Sequence, residues 1–123
     1  MLHNFDVVCA GNAKIATFLT LHEARKHLRF DETTNELCIK SGEKITVDRA
    51  EILIGGNAAN VSVGLSRLGL NVALVAEIGT DEFSEKIINN LSRENVSTKF
   101  IKQIEGQESS FSTIINFNSE RTI

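Results

Sequence analysis

Apolar and polar positions along this chain fall into short runs, and their spacing predicts alternating strands and helices. Phe5-Asp6-Val7-Val8-Cys9-Ala10 is a short apolar run ended by Gly11-Asn12. That length and that turn signal predict a buried strand. Ile15 to Leu21, rich in Thr and Ile, predicts a second strand. His22 to Asn35 is dense in charge and has no clean period. It reads as a loop with room for one helical turn. Leu37 to Lys40 and Ile45 to Val47 flank Ser41-Gly42-Glu43-Lys44, which predicts a hairpin with its glycine in the loop. Ala50 to Ile54 predicts another strand. Three short strands would then form a small sheet beside the main body.

After Gly56 the period changes. Ala58, Val61, Leu65 and Leu68 follow the i, i+3, i+7, i+10 series of one helical face, and Gly69 stands where a C-terminal cap belongs. Val72-Ala73-Leu74-Val75-Ala76 has no polar alternation. It predicts a strand buried on both faces of a parallel, helix-covered sheet. Strand, helix and strand over Ala50 to Ile78 predict a βαβ unit with a right-handed crossover. Gly79-Thr80-Asp81 starts a second helix, with Thr80 or Asp81 as N-cap and Glu82 favourable in its first turn. Phe83, Ile87, Ile88 and Leu91 make its apolar face. Ser97 to Ile104 and Ser109 to Phe117 predict strands around the polar Glu105-Gly106-Gln107-Glu108 turn. Phe111, Thr113, Ile115 and Phe117 fall on one side of the second. Arg121 to Ile123 opens one more strand after Asn118-Ser119-Glu120. A terminal strand without a partner exposes a ladder edge, which predicts that the chain is truncated.

Composition narrows the class. At 123 residues the chain has the length of one domain, able to bury about two-thirds of its unfolded surface. Its 41% apolar and 24% charged residues are those of a soluble protein. The net charge of -3 is spread over mixed acids and bases, without the basic stripe of a nucleic-acid binder. The apolar runs are too short to span a membrane, and the N-terminus has no secretion-signal pattern. Cys9 and Cys38 sit in strand patterns and read as buried thiols of a cytoplasmic protein. His22 and His27 are five apart, not the four a zinc helix needs, so no metal ligands are assigned. Without proline, turns must come from Gly, Asn, Asp and Ser.

The candidate chemistry lies in Gly55-Gly56-Asn57-Ala58-Ala59-Asn60. Two glycines let backbone come close to a ligand or to itself, because no Cβ is in the way. Two asparagines three apart can share a helical face, each with donors and an acceptor. That suits a neutral polyhydroxylated ligand better than a phosphate. The alternative is structural: Gly-Gly ends a strand, Asn57 caps a helix and Asn60 faces water. Neither a G-x-G-x-x-G nor a G-x-x-x-x-G-K-[ST] phosphate cradle is present. No Ser-His-Asp set can be assembled from spacing.

Gly55 to Gly69, Val75-Ala76-Glu77-Ile78-Gly79-Thr80-Asp81-Glu82-Phe83 and Asp6 to Asn12 resemble segments of the ribokinase-like (PfkB) carbohydrate kinases. Ser110-Phe111-Ser112-Thr113 and Glu120-Arg121-Thr122-Ile123 are also similar to family segments. The resemblance implies the N-terminal portion, over residues 1–123, of one doubly wound α/β domain. A small β lid would come from Leu37 to Ile54 and from Ser109 onward. It implies phosphoryl transfer from ATP, with Mg2+, to a sugar hydroxyl, and a homodimer through the lid. It places Gly55, Gly56, Asn57, Asn60 and Asn12 around the sugar, with Phe111 covering it from the lid. Arg121 is placed near the sugar or a subunit contact. The family's acidic sugar ligand corresponds here to Ala16, which cannot accept hydroxyl hydrogen bonds. The family's Asp-Thr-x-Gly-Ala-Gly-Asp motif, with the catalytic base and the phosphate-holding glycines, is absent. The expectation is therefore a sugar-binding half without its own ATP site or catalytic residue, inactive alone. The alternatives are a non-catalytic sugar-binding or dimerisation module derived from such a kinase, and a nucleoside kinase of the same superfamily.

Overall fold

The computed structural model describes residues 4–22 and 26–123. Glu23, Ala24 and Arg25, within the stretch expected to be a loop, lie outside the described residues. In chain order the elements are β1 (Val7–Ala10), β2 (Lys14–Thr20), β3 (Leu28–Asp31), β4 (Glu36–Ile39), β5 (Arg49–Gly55), α1 (Asn57–Arg67), β6 (Val72–Ile78), α2 (Glu82–Arg93), β7 (Val96–Gln103), β8 (Phe111–Phe117) and β9 (Glu120–Thr122). The chain divides into two compact units, residues 1–16 with 53–112 and residues 17–52 with 113–123.

The first unit carries a parallel sheet of order β1-β6-β7. Val72, Ala73 and Leu74 at its centre are fully buried, and Leu74 packs in one core with Ala13, Ile15, Ala59, Ile87 and Leu91. Burial on both faces ends there, because Val75 and Glu77 face outward. The βαβ unit is β6-α2-β7, not β5-α1-β6. β5 belongs to a different sheet, of order β5-β2-β8-β9.

Helix α2 follows its sequence pattern, with Ile87 and Leu91 buried and Phe83 and Ile88 packed against the same core. Helix α1 does not. Its buried residues are Ala58, Ala59 and Ser62, whereas Val61 and Leu68 are 54% and 80% exposed. Small side chains bring the α1 backbone close to its neighbours, and the Ser62 hydroxyl is satisfied by the Ala58 carbonyl at 2.8 Å. Gly69, at φ +91°, closes the helix as expected, its N–H donating to the Ser66 carbonyl at 2.9 Å.

The second unit has its own small core, Leu21, Leu28 and Phe117 with Leu37, Ile45, Val47 and Ile115. Its hairpin is β3-β4, one element earlier than the glycine at position 42 suggests. The Asp31 carboxylate accepts the Thr33 N–H at 3.0 Å, and Asn35 takes the left-handed backbone with φ 57°. These residues make a turn without glycine. β9 is paired rather than free, hydrogen-bonded antiparallel to β8 across Asn118 and Ser119, which both have positive φ. Along β8 burial does not keep to the expected side, to which Phe117 belongs and Ile114 does not. Ile114 and Phe117 are buried and Phe111 is half exposed, because the strand leaves the first unit after Ser112. β7 and β8 belong to separate sheets, so Glu105 to Glu108 joins strands without pairing them.

Candidate functional site

All but one of the expected site residues lie in the first unit, and all of these except Phe111 lie at or near the start of α1. Gly56 is the N-cap residue, with φ 101° and ψ 137°, a conformation that disfavours side chains. A Cβ there would run into the Asn12 backbone, 2.7 Å from its carbonyl carbon. Gly56 is therefore required for close backbone packing. No side chain caps α1, and no acidic residue stands in its first turn. The Asn12 carbonyl accepts the Ala59 N–H at 3.2 Å. The N–H groups of the first turn, Asn57 and Ala58, have no acceptor within a helix. Asn57 is the first helical residue, not the cap.

Gly11, Asn12, Asn57, Ala58 and Val61 line an open hollow of about 500 Å³. Asn60, although three residues from Asn57, opens on a different one, of about 460 Å³, with Leu53, Ile54, Arg67 and Glu94. The structure thus brings Asn12 and Asn57 together and sets Asn60 apart. Asn57 and Asn60 are both exposed, and no described residue engages their side chains.

Gly55 faces β2. A Cβ built on it would touch the Ala16 Cβ at 3.5 Å and the Lys14 Cγ at 3.9 Å. Ala16 is buried and offers only a methyl group. Lys14 is half-buried, and its Nζ donates to Ser112 Oγ at 3.0 Å. Sequence reasoning missed Lys14. The signal was available, since residues two apart on a strand share a face and Ala16 had already been singled out.

Phe111 stacks on Phe83 of α2, with ring centroids 5.5 Å apart and planes at 12°. Its neighbour Ser109 was also missed. Asp81, the N-cap of α2, accepts the Ser109 N–H at 2.7 Å, the Ser109 hydroxyl at 2.8 Å and the Ser84 N–H at 3.0 Å. The Ser109 backbone N–H, followed by the Ser109 hydroxyl and the Ser84 N–H, holds the Asp81 carboxyl below the usual aspartate range. Ser109 Oγ in turn accepts the Gly79 N–H at 3.0 Å. This network fixes the chain immediately before Phe111. Arg121 lies in the second unit, where it lines a hollow of about 180 Å³ with Phe30, Leu37 and Phe117.

Known proteins place this arrangement in context. Residues 25–123 match the family described as pfkB family carbohydrate kinase. A Pyrococcus horikoshii protein named as a sugar kinase is 42% identical over 65 residues, covering 53% of this chain and 21% of that protein. Mouse ribokinase is 34% identical over 84 residues, covering 68% of this chain and 26% of the enzyme. Arabidopsis thaliana ribokinase, solved with ribose and ATP, superposes with a TM-score of 0.72 at 16% identity, covering 94% of this chain and 33% of that one. The chain therefore spans about a fifth to a third of the length of these proteins. With 99 of its residues inside the family match (25 through 123), the chain belongs to the PfkB family of carbohydrate kinases.

Proposed function

We propose that this chain supplies the sugar-binding part of an ATP-dependent carbohydrate kinase, which transfers a phosphoryl group to a sugar hydroxyl. The observation that carries this is the open start of α1. No side chain caps α1, only the Ala59 N–H of its first turn is taken, by the Asn12 carbonyl, and the side chains of Asn57 and Asn60 are engaged by no described residue. Amide side chains and backbone N–H groups are suitable partners for hydroxyls. Asn12 and Asn57 hold one side of the sugar from the hollow they share, and Asn60, which opens on a different hollow, and Phe111 are its further contacts in this reading. Ribokinases among the relatives support a sugar as acceptor, and the ribose and ATP in the Arabidopsis enzyme support a nucleotide as donor.

On this reading ATP with Mg2+ is the donor, none of these 123 residues is assigned to hold it or to act as the catalytic base, and the chain alone is inactive. A homodimer and a cytoplasmic location accompany this reading. No helix among the described residues is long and apolar enough to cross a membrane. Ala16 favours a second reading, a sugar-binding module without catalysis, because a methyl replaces the acceptor expected for sugar hydroxyls.

Calorimetric titration of the folded chain with a panel of pentoses and hexoses tests binding. Measurable heat is expected, and none for any sugar overturns the proposal. In a longer chain that includes a catalytic half, Asn60→Ala should raise the sugar KM by about two- to tenfold, the worth of one hydrogen bond. An unchanged KM would make Asn60 a plain surface residue of the helix.

A further inference from the structure

Phe111 is tied to the start of α2 by two contacts in one register, all within the first unit. Asp81 meets Ser109, and two residues further along each segment Phe83 meets Phe111. The first contact is polar and closely fitted. Ser109 is buried, and its N–H and hydroxyl both donate to the Asp81 carboxylate, at 2.7 and 2.8 Å. Its oxygen accepts the Gly79 N–H at 3.0 Å. The backbones touch here, since a Cβ on Gly79 would lie 2.2 Å from the Gln107 carbonyl oxygen. Both Asp81 oxygens are engaged within the protein, which makes this carboxylate an anchor rather than a ligand for sugar hydroxyls.

The second contact is apolar. Phe83 packs against the core of the first unit, and the Phe111 ring stacks on it at 12°. Phe111 itself stays 50% exposed. An exposed side chain at the first position of a strand is free to change rotamer, whereas a stacked one is held. Holding it before a ligand arrives lowers the ordering cost of binding.

We propose that Ser109, Asp81 and Phe83 are positioning residues of the sugar site, which act through Phe111 and do not touch the sugar. The assignment rests on the reading of Phe111 as a sugar contact and adds the residues that keep it in place.

The test is a double-mutant cycle read by calorimetric titration of the 123-residue chain with the pentose or hexose that gives the largest heat. Circular dichroism checks that each variant is folded at the titration temperature. Phe111→Ala should weaken binding about fivefold or more, the worth of a buried ring contact. Ser109→Ala should weaken it about two- to tenfold, and should add nothing once Phe111 is replaced, because the two then act as a unit. Phe83→Leu, which keeps an apolar side chain and removes the stack, should show the same dependence on Phe111. Affinity unchanged by Ser109→Ala and Phe83→Leu overturns the assignment. An equal loss with and without Phe111 also overturns it, since those residues would then support the fold at large. Affinity unchanged by Phe111→Ala overturns it together with the Phe111 contact, and leaves sugar binding at α1 standing. No heat with any sugar overturns both proposals. Should Ser109→Ala fail to fold, Phe83→Leu carries the same cycle.

Discussion

The two helices of the first unit end alike and begin differently. At their C-termini Glu94, the residue after α2, takes two hydrogen bonds from the Arg67 guanidinium at the end of α1, 2.8 and 2.6 Å long. Its carbonyl accepts the Ser66 hydroxyl at 2.7 Å. At their N-termini, α2 has an aspartate cap, Glu82 and Glu85 in its first turn, and a serine network behind the cap. α1 has a glycine cap and no acid. A helix start carries about half a positive charge and unpaired N–H groups. The protein satisfies these at α2 with a side-chain carboxylate and at α1 with only the Asn12 backbone carbonyl, which takes the Ala59 N–H. On the sugar-binding reading proposed above, a structural end and a ligand-facing end of the same kind of element differ in who supplies the acceptor.

The largest effect should come from filling the glycine that opens α1. Gly56→Ala places a methyl against the Asn12 carbonyl in a backbone conformation unsuited to it. It should cost about 3 kcal/mol, strain and overpacking together, read from urea denaturation. A loss below about 1 kcal/mol would mean that Gly56 is not held where described. Gly79→Ala ahead of α2 is a parallel case, since its Cβ would lie 2.7 Å from the Ser109 N. Similar losses at both would show that tight entry is common to the helices and that only the acceptor differs.

Next in size is the closed end. The Asp81 carboxyl is held below its usual range, so its ionised form is favoured in the folded state. Stability from this group is then present above the unfolded value of about 3.9 and is lost as pH falls through the lower folded value. Asp81→Asn should lower the melting temperature at neutral pH, by less than Gly56→Ala, and should flatten the acid limb of the stability profile. Glu94 and Glu43 are also held low, Glu94 by Arg67 and Glu43 by Lys40 and then His27, so part of the limb should persist. An acid limb unchanged by Asp81→Asn would break the contrast between the two starts.

How much of this was legible in the sequence depended on what each element packs against. β6 and α2 were legible because a continuous apolar run and an Asp-Glu cap signal both report burial and termini directly. The face of α1 was misread because hydrophobicity marks Val61 and Leu68, while close packing selects Ala59 and Ser62. The β3-β4 hairpin was misplaced because the Asp31 carboxylate and Asn35 turn the chain without glycine. At the site, Gly55-Gly56 was legible as a place of close approach. The Asp81–Ser109 contact joins residues far apart in sequence, as does the hydrogen bond from Lys14 to Ser112.

A smaller effect, opposite in sign, would sharpen the contrast from the open side. Asn57→Asp adds a carboxylate to the first turn of α1, where none stands. It should stabilise the chain by about 0.3–1 kcal/mol through the helix dipole. If the start of α1 serves a sugar, the same change should weaken its binding in titration, because a carboxylate lacks the two amide donors of Asn57.

The smallest effect should come from the end that the helices share. Arg67 is largely exposed and its pair with Glu94 lies at the surface, where ion pairs contribute little. Arg67→Ala should therefore shift the denaturation midpoint least of these variants, and less still at high salt. It should also relax Glu94 toward its ordinary range, since the Arg67 hydrogen bonds are the main cause of its lowering. A midpoint shift as large as that of Asp81→Asn would place the tie between the helices at their common C-terminal end, and the contrast between their starts would lose its structural half.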